Sequence, residues 1–565
     1  MLPRPIAFFV SALLVAGALA SPSGTLNAER RTAWVFFHDK GVHTKAARDF
    51  AFKQLASTYN PRAIERRMLR RTAPGLFDER DLPVAQTYVQ GVENTGARVR
   101  VESRWLNAVS VQANTAQLDA IAGLPFVKSV EPVKPLRTEE VVTTPVTGRR
   151  AKQATGAGSF YGISEDQLSL MNLILLHDAG FTGEGVIVGV LDTGFRTSHR
   201  AFTNPDHPLD IVAEWDFVND DAVTADEPGD PAGQHDHGSL ILGTLGSYLP
   251  GELVGGAFDA SYILCKVEDA ADEYNGEEDF FVAGLEFVEA NGGDVATSSV
   301  VIFVGYDSSD LDGLTTVMTV GVNVATENGL IVCQGAGNEG HDSNPSTQHL
   351  VPPADAFDAI TVGATTADGL IAAFSSDGPT ADGRVKPEVL ARGVSVSTIS
   401  PGNDSAFDSA SGTSLATPLA AGAVACLLQA HPDWTVEQMR NFLFKTADYY
   451  TEYRTYDADY VLGYGLLDAY RAHNWDCNGN GEFDADDVGN GTSLDLNTNG
   501  YPDECDLPAD FNGDERVDDG DYRRFVFCLL GPGVSVTRGC LLADADEDGD
   551  VDARDVAAVQ AAFTD

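Results

Sequence analysis

The chain has 565 residues, a formal net charge of −47 and seven cysteines. That length exceeds what a single core organises, so three or four folding units are expected. The excess of carboxylates excludes a nucleic-acid partner, because a polyanion is repelled by such a surface. The charge is uneven: residues 1–150 hold 21 Lys and Arg against 13 Asp and Glu, a balance of +8, which leaves −55 for the remainder. A basic front part can be held electrostatically by an acidic remainder, or both can simply be solvated surfaces.

Residues 1–20 combine Arg4 with an apolar run ending in Ala18, Leu19 and Ala20, the small-x-small pattern of a signal-peptidase site. Secretion is therefore expected, with Ser21 opening the exported chain. No later uncharged run of eighteen apolar residues is read, so no membrane span is expected after removal of that segment.

Residues 21–136 read as a small α+β unit in which AWVFF, AVSVQ and VKSVEPV are strands. Residues 137–165, rich in Thr, Gly and charge, read as an exposed linker. From 166 to 473, short β-rich runs (GVIVGVLD, SYILCKV, DVATSSVVIF, GLIVCQGAG, DAITVGAT) alternate with helical stretches. That alternation predicts an α/β fold, a parallel sheet with helices on both faces, whose reactive groups gather outside the carboxyl ends of its strands. From Asn474 the composition turns to Asp, Asn and Gly, with 23 acidic and 5 basic side chains.

Three motifs lie in order within the α/β region: VLDTG with Asp192, HDHGSLILGT with His237, and SGTSLATP with Ser414. A serine hydroxyl is a poor nucleophile until an imidazole takes its proton and a carboxylate fixes that imidazole's tautomer. GAGNEG adds Asn338, whose amide can donate to the oxyanion of a tetrahedral intermediate. The order Asp, His, Ser excludes an esterase of the α/β-hydrolase kind, which needs Ser before Asp before His. His235 beside His237 raises a metal site, but no ligand cluster at zinc spacing accompanies it. Pro418 is read as lying in the first turn of the helix that Ser414 opens, where a missing N–H costs little.

On these motifs, residues 166–473 resemble a subtilase, a subtilisin-like serine protease. The resemblance implies Asp192, His237 and Ser414 as catalytic triad, with the Asn338 side chain and the Ser414 N–H as oxyanion hole, and no catalytic cofactor. It implies polypeptide substrates bound by Ser299, Val300 and Val301 and by Gly335, Ala336 and Gly337. In place of the family's Ser-Leu-Gly strand the chain reads TSSVVIFVG, so specificity does not transfer. Leu415 stands where the family has Met, a mild change of volume. Residues 21–136 resemble a subtilase propeptide, an intramolecular inhibitor and folding aid cut off between Val133 and Asp166. Cys265, Cys333 and Cys426 lie in apolar runs and read as core thiols.

The tail repeats an EF-hand-like register four times. The ligand positions are Asp476, Asn478, Asn480, Asp484 and Asp487; Asp495, Asn497, Asn499, Asp503 and Asp506; Asp510, Asn512, Asp514, Asp518 and Asp521; and Asp544, Asp546, Asp548, Asp552 and Asp555. Oxygen donors at alternate positions are what Ca²⁺ requires. Glu515 replaces the turn glycine of the third loop and weakens it. Residues 474–508 resemble thrombospondin type 3 repeats, with Cys477 and Cys505 bridged. Residues 509–565 resemble a dockerin, which implies a cohesin-like partner, with Cys528 and Cys540 flanking the join as a staple. The competing reading is a catalytically silent, calcium-dependent adhesion or scaffold protein.

Overall fold

Seven short runs form one parallel sheet, in the order Val389–Arg392, Ile360–Thr365, Ile331–Gly335, Val295–Ser298, Ile187–Asp192, Ser261–Lys266, Asp210–Asp216. All six residues of Ile187–Asp192 are buried, which is why this strand reads as a continuous apolar run rather than as alternation. The two edge strands are the ones the sequence did not announce. Val389–Arg392 is only four residues long, and Asp210–Asp216 is interrupted by charge.

The computed structural model describes residues 30–135, 142–146, 159–270, 277–300 and 305–495, with shorter stretches between 502 and 556. The export segment expected at residues 1–20 lies outside the described residues. Helices Asp236–Gly246 and Thr413–Ala430 cover one face of the sheet, and helices Glu278–Ala290 and Val317–Glu327 cover the other. Two apolar cores result, one on each side. Thr413–Ala430 is uncharged over eighteen residues and long enough to cross a membrane. Of its residues, 89% are buried in the protein core.

The front unit is a four-stranded antiparallel sheet, ordered Arg98–Ser103, Ala108–Ala113, Arg31–Phe37, Val127–Pro132. It packs on the Glu278–Ala290 face, where Val101 and Trp105 join the core beneath that helix. Two further helices, Lys45–Thr58 and Pro61–Arg70, extend it along the same side.

The stretch read as a linker is partly built into the fold. Val142–Pro145 forms a strand antiparallel to Phe407–Ser411, and Tyr161 and Ser164 are buried against the main core. Nor does the tail hang free at its start. The Trp475 ring stacks 4.7 Å from Phe442, and Phe483 lies in the main core.

Candidate active site

Asp192 ends the central strand Ile187–Asp192 with no solvent exposure. Its Oδ1 lies 2.7 Å from His237 Nδ1 and accepts from the Thr193 N–H at 2.8 Å. His237 is the second residue of its helix, and Gly238 behind it permits the approach. A Cβ at Gly238 would fall 2.2 Å from the Gly194 carbonyl oxygen and 3.0 Å from the Asp192 Cβ. The neighbouring His235 pairs instead with Asp226, 2.9 Å away, and so clasps a loop.

Ser414 sits at the second position of Thr413–Ala430, and Asn338 lies three residues beyond the strand Ile331–Gly335. Both converge on Gly412: a Cβ built there would lie 3.5 Å from Asn338 Nδ2, 3.6 Å from Ser414 N and 3.7 Å from Ser414 Oγ. Three hydrogen-bonding groups therefore surround one small space beside Gly412. The Thr413 N–H donates to Asn338 Oδ1 at 2.8 Å. That bond sets the amide's orientation, with its N–H₂ turned to the Gly412 side. Thr413 has no chemistry of its own, and sequence reasoning missed it.

One expectation is corrected. Pro418 is the sixth residue of its helix, well inside it. Its missing N–H would leave the Ser414 carbonyl without the usual partner four residues on. Ser299 Oγ donates to that carbonyl at 3.1 Å instead. Ser299 follows Ser298, which pairs with Leu191 beside Asp192. The imidazole–carboxylate pair and the hydroxyl–amide pair thus share the carboxyl edge of three consecutive strands.

The surroundings of the remaining residues expected to bind substrate are these. Val300 is fully buried in the core beneath Glu278–Ala290, so its side chain lines no cleft. Val301 lies outside the described residues. A Cβ at Gly335 would meet Thr417 Oγ1 at 3.3 Å, and one at Gly337 would meet Val351 Cγ2 at 2.7 Å. Ala336 packs against Leu311, Leu350 and Ala354. Gly335, Ala336 and Gly337 therefore shape the turn that carries Asn338. Cys265, Cys333 and Cys426 are free and buried, with burial pushing each thiol pKa up, as core thiols should be.

In the tail, Cys477–Cys505 and Cys528–Cys540 are disulfides. Asp476 Oδ2 accepts from the Gly481 N–H at 2.8 Å, and Asp544 Oδ2 accepts from the Gly549 N–H at 2.8 Å. Both glycines have φ of 90°, so the first and fourth loops close the same turn. Asn478 and Asn480 both reach Asp487 Oδ2, at 3.3 and 2.6 Å. Loop positions 3 and 5 thus turn their amide N–H₂ groups onto the carboxylate of position 12, while position 1 closes the turn through backbone N–H groups. Asp484 differs, since it accepts from the Cys477 N–H at 3.1 Å. Asp495, Asp521, Asp552 and Asp555 are described. Asn497, Asn499, Asp503, Asp506, Asp510, Asn512, Asp514, Asp518, Asp546 and Asp548 lie outside the described residues.

A doubly covered, seven-stranded parallel sheet with these groups on its carboxyl edge defines the subtilisin-like class of α/β folds. Residues 183–466 match the Subtilase family, half of the chain, and the chain belongs to that family of serine peptidases. Residues 32–147 match the Peptidase S8 propeptide domain, Bacteroidota, and residues 508–564 the Dockerin type I domain. The chain is 33% identical over 290 residues to Subtilisin E of Bacillus subtilis (strain 168), a match covering 51% of this chain and 66% of that one. It is 31% identical over 313 residues to Subtilisin of Bacillus pumilus, covering 55% of this chain and 98% of that one. Among solved structures it resembles fervidolysin from Fervidobacterium pennivorans, with TM-score 0.55 and 21% identity, covering 79% of this chain and 61% of that one.

Proposed function

We propose that the chain is a secreted serine endopeptidase, made as a self-processed zymogen. The carrying observation is the buried 2.7 Å pair of Asp192 and His237 on the same sheet edge as Ser414 and Asn338. Ser414 Oγ attacks the scissile carbonyl carbon and passes its proton to His237 Nε2, while Asp192 holds the Nδ1–H and faces the imidazolium that forms. The oxyanion accepts from Asn338 Nδ2 and the Ser414 N–H. His237 then protonates the leaving amine, and water releases the acyl group by the same steps.

The front unit acts as intramolecular inhibitor. The Lys134 carbonyl accepts from the Glu277 N–H at 2.9 Å, and Val142–Pro145 pairs with the strand ending three residues before Ser414. Both flanks support a cut between Val133 and Asp166. Ca²⁺ is held by the tail loops, where it fixes the dockerin unit for a cohesin-like partner outside the cell.

A serine-directed phosphonate tests the reading. It labels wild-type protein and leaves Ser414→Ala unlabelled. A wild type that is neither labelled nor processed belongs to the silent adhesion or scaffold protein instead.

A further inference from the structure

The front unit's excess charge is concentrated on one helix. In Pro61–Arg70, arginines 62, 66 and 70 recur every fourth residue and so share a face. Arg62 and Arg70 pair with Asp294, the latter at 3.2 Å. Arg66 pairs with Glu289 and bonds the Gly293 carbonyl. Arg67 reaches Glu289 at 2.8 Å. Arg70 also donates to the Pro432 and Trp434 carbonyls at 2.8 and 3.0 Å. The Arg66, Arg67 and Glu289 side chains are fully buried.

This contact stands far from the catalytic groups. Asp294 precedes the strand Val295–Ser298, so it lies at the amino edge of the sheet, about 13 Å of strand away from Ser298. Pro432 follows the helix that begins beside Ser414, roughly 24 Å along the helix axis. The acidic groups also need outside cations. Glu286 and Glu289 occupy the last turns of Glu278–Ala290, where the helix dipole is already negative. Among the described residues, the guanidiniums paired with Glu286, Glu289 and Asp294 all come from the front unit.

We infer that Pro61–Arg70 is a second anchor, independent of the substrate cleft, which keeps the front unit on the catalytic unit after the linker is cut. Its surface is an acidic socket for helical arginines one turn apart. The natural setting rests on the self-processing reading, but the anchor does not need catalysis to be tested.

The experiment uses the full chain with Ser414→Ala and a site-specific protease sequence inserted in the linker. After the cut, retention of the front unit is read by gel filtration and by its dissociation constant, with a second copy of the measurement on phosphonate-blocked, catalytically intact protein. Retention in the parent, with Arg66→Ala/Arg70→Ala binding at least a hundredfold more weakly, supports the anchor, since the variant removes one guanidinium each from Glu289 and Asp294 together with the bonds to the Gly293, Pro432 and Trp434 carbonyls. Should the double variant fail to fold, Arg62→Ala decides. Arg62 is partly exposed and is expected to weaken retention about tenfold. Equal retention in parent and variants, or release of the front unit from the phosphonate-blocked, catalytically intact protein, overturns the inference. A failed phosphonate reaction alone would sink the protease reading and leave the first measurement standing.

Discussion

Replacing Asp192 by Asn isolates what the buried charge contributes. Asp192 Oδ1 accepts from both His237 Nδ1 and the Thr193 N–H, at 2.7 and 2.8 Å. In the Asn variant an oxygen must stay there, because an amide N–H₂ would set donor against the Thr193 N–H. The imidazole therefore keeps its tautomer and position, and only the negative charge is lost. Unit charges about 4 Å apart interact by about 4 kcal/mol at an effective dielectric near 20. The imidazolium formed as Ser414 is deprotonated forfeits that interaction, which amounts to about 10³ in kcat/KM. Casein hydrolysis by processed enzyme, normalised by active-site titration, measures it. Asp192→Ala should fall further, because the ring is then unrestrained. An Asp192→Asn enzyme within tenfold of wild type would refute the assignment of Asp192 to imidazolium stabilisation.

Asn338→Ala is expected to lower kcat by about 10²–10³ with little change in KM, the size known for losing one such donor in a subtilisin; a loss confined to KM would contradict the oxyanion role. Ser299→Ala strips the Ser414 carbonyl of its donor and should lower the melting free energy by about 1–3 kcal/mol, with kcat falling and phosphonate labelling slowed. Unchanged calorimetry would show that water replaces the hydroxyl without loss.

Front-unit retention should peak in mild acid. Burial pushes Glu278 up to about 8, against hydrogen bonds from the Lys134 N–H, Trp34 and Tyr306 and with Asp279 adding to the rise. Its contribution is full below the ordinary carboxylate range and is lost as pH rises towards 8. Burial also works to raise Glu289, but Arg66, Arg67 and Arg104 hold it at about 2, so its contribution persists above the ordinary range and is lost only as pH falls towards 2. Dissociation constants that are flat from pH 5 to 8 would exclude the Glu278 part. Chelating calcium should shift Trp475 emission, since that ring sits beside Asp476 and stacks on Phe442; the shift should vanish in Trp475→Phe and in Asp487→Ala.

Much of the site was legible in the sequence because its chemistry depends on residue type and order. Asp192, His237, Asn338 and Ser414 each stand in a short motif. The turns of the first and fourth tail loops were legible for the same reason, since their aspartates and glycines recur within one stretch of chain. Other features needed contacts between distant residues. Ser299 could be read as a cleft residue, but its bond to the Ser414 carbonyl depends on Pro418 lying inside the helix and on strand order. The packing of Gly335, Ala336 and Gly337 against Thr417, Leu350 and Val351 likewise joins residues far apart in the chain.

The arginines of Pro61–Arg70 were legible only as a charge surplus. Whether they faced water or carboxylates depended on where the Glu278–Ala290 helix ends and where the front unit rests on it. The sequence by itself determined the motif residues Asp192, His237, Asn338 and Ser414, the acidic repeat of the tail and the alternation that makes a parallel sheet, because these follow from local chemistry and spacing. Tertiary structure alone decided which buried charges are paired, which glycines touch the Thr413–Ala430 helix and where the described part of the linker lies. Those outcomes depend on distances between residues up to several hundred positions apart, and no local pattern carries that distance.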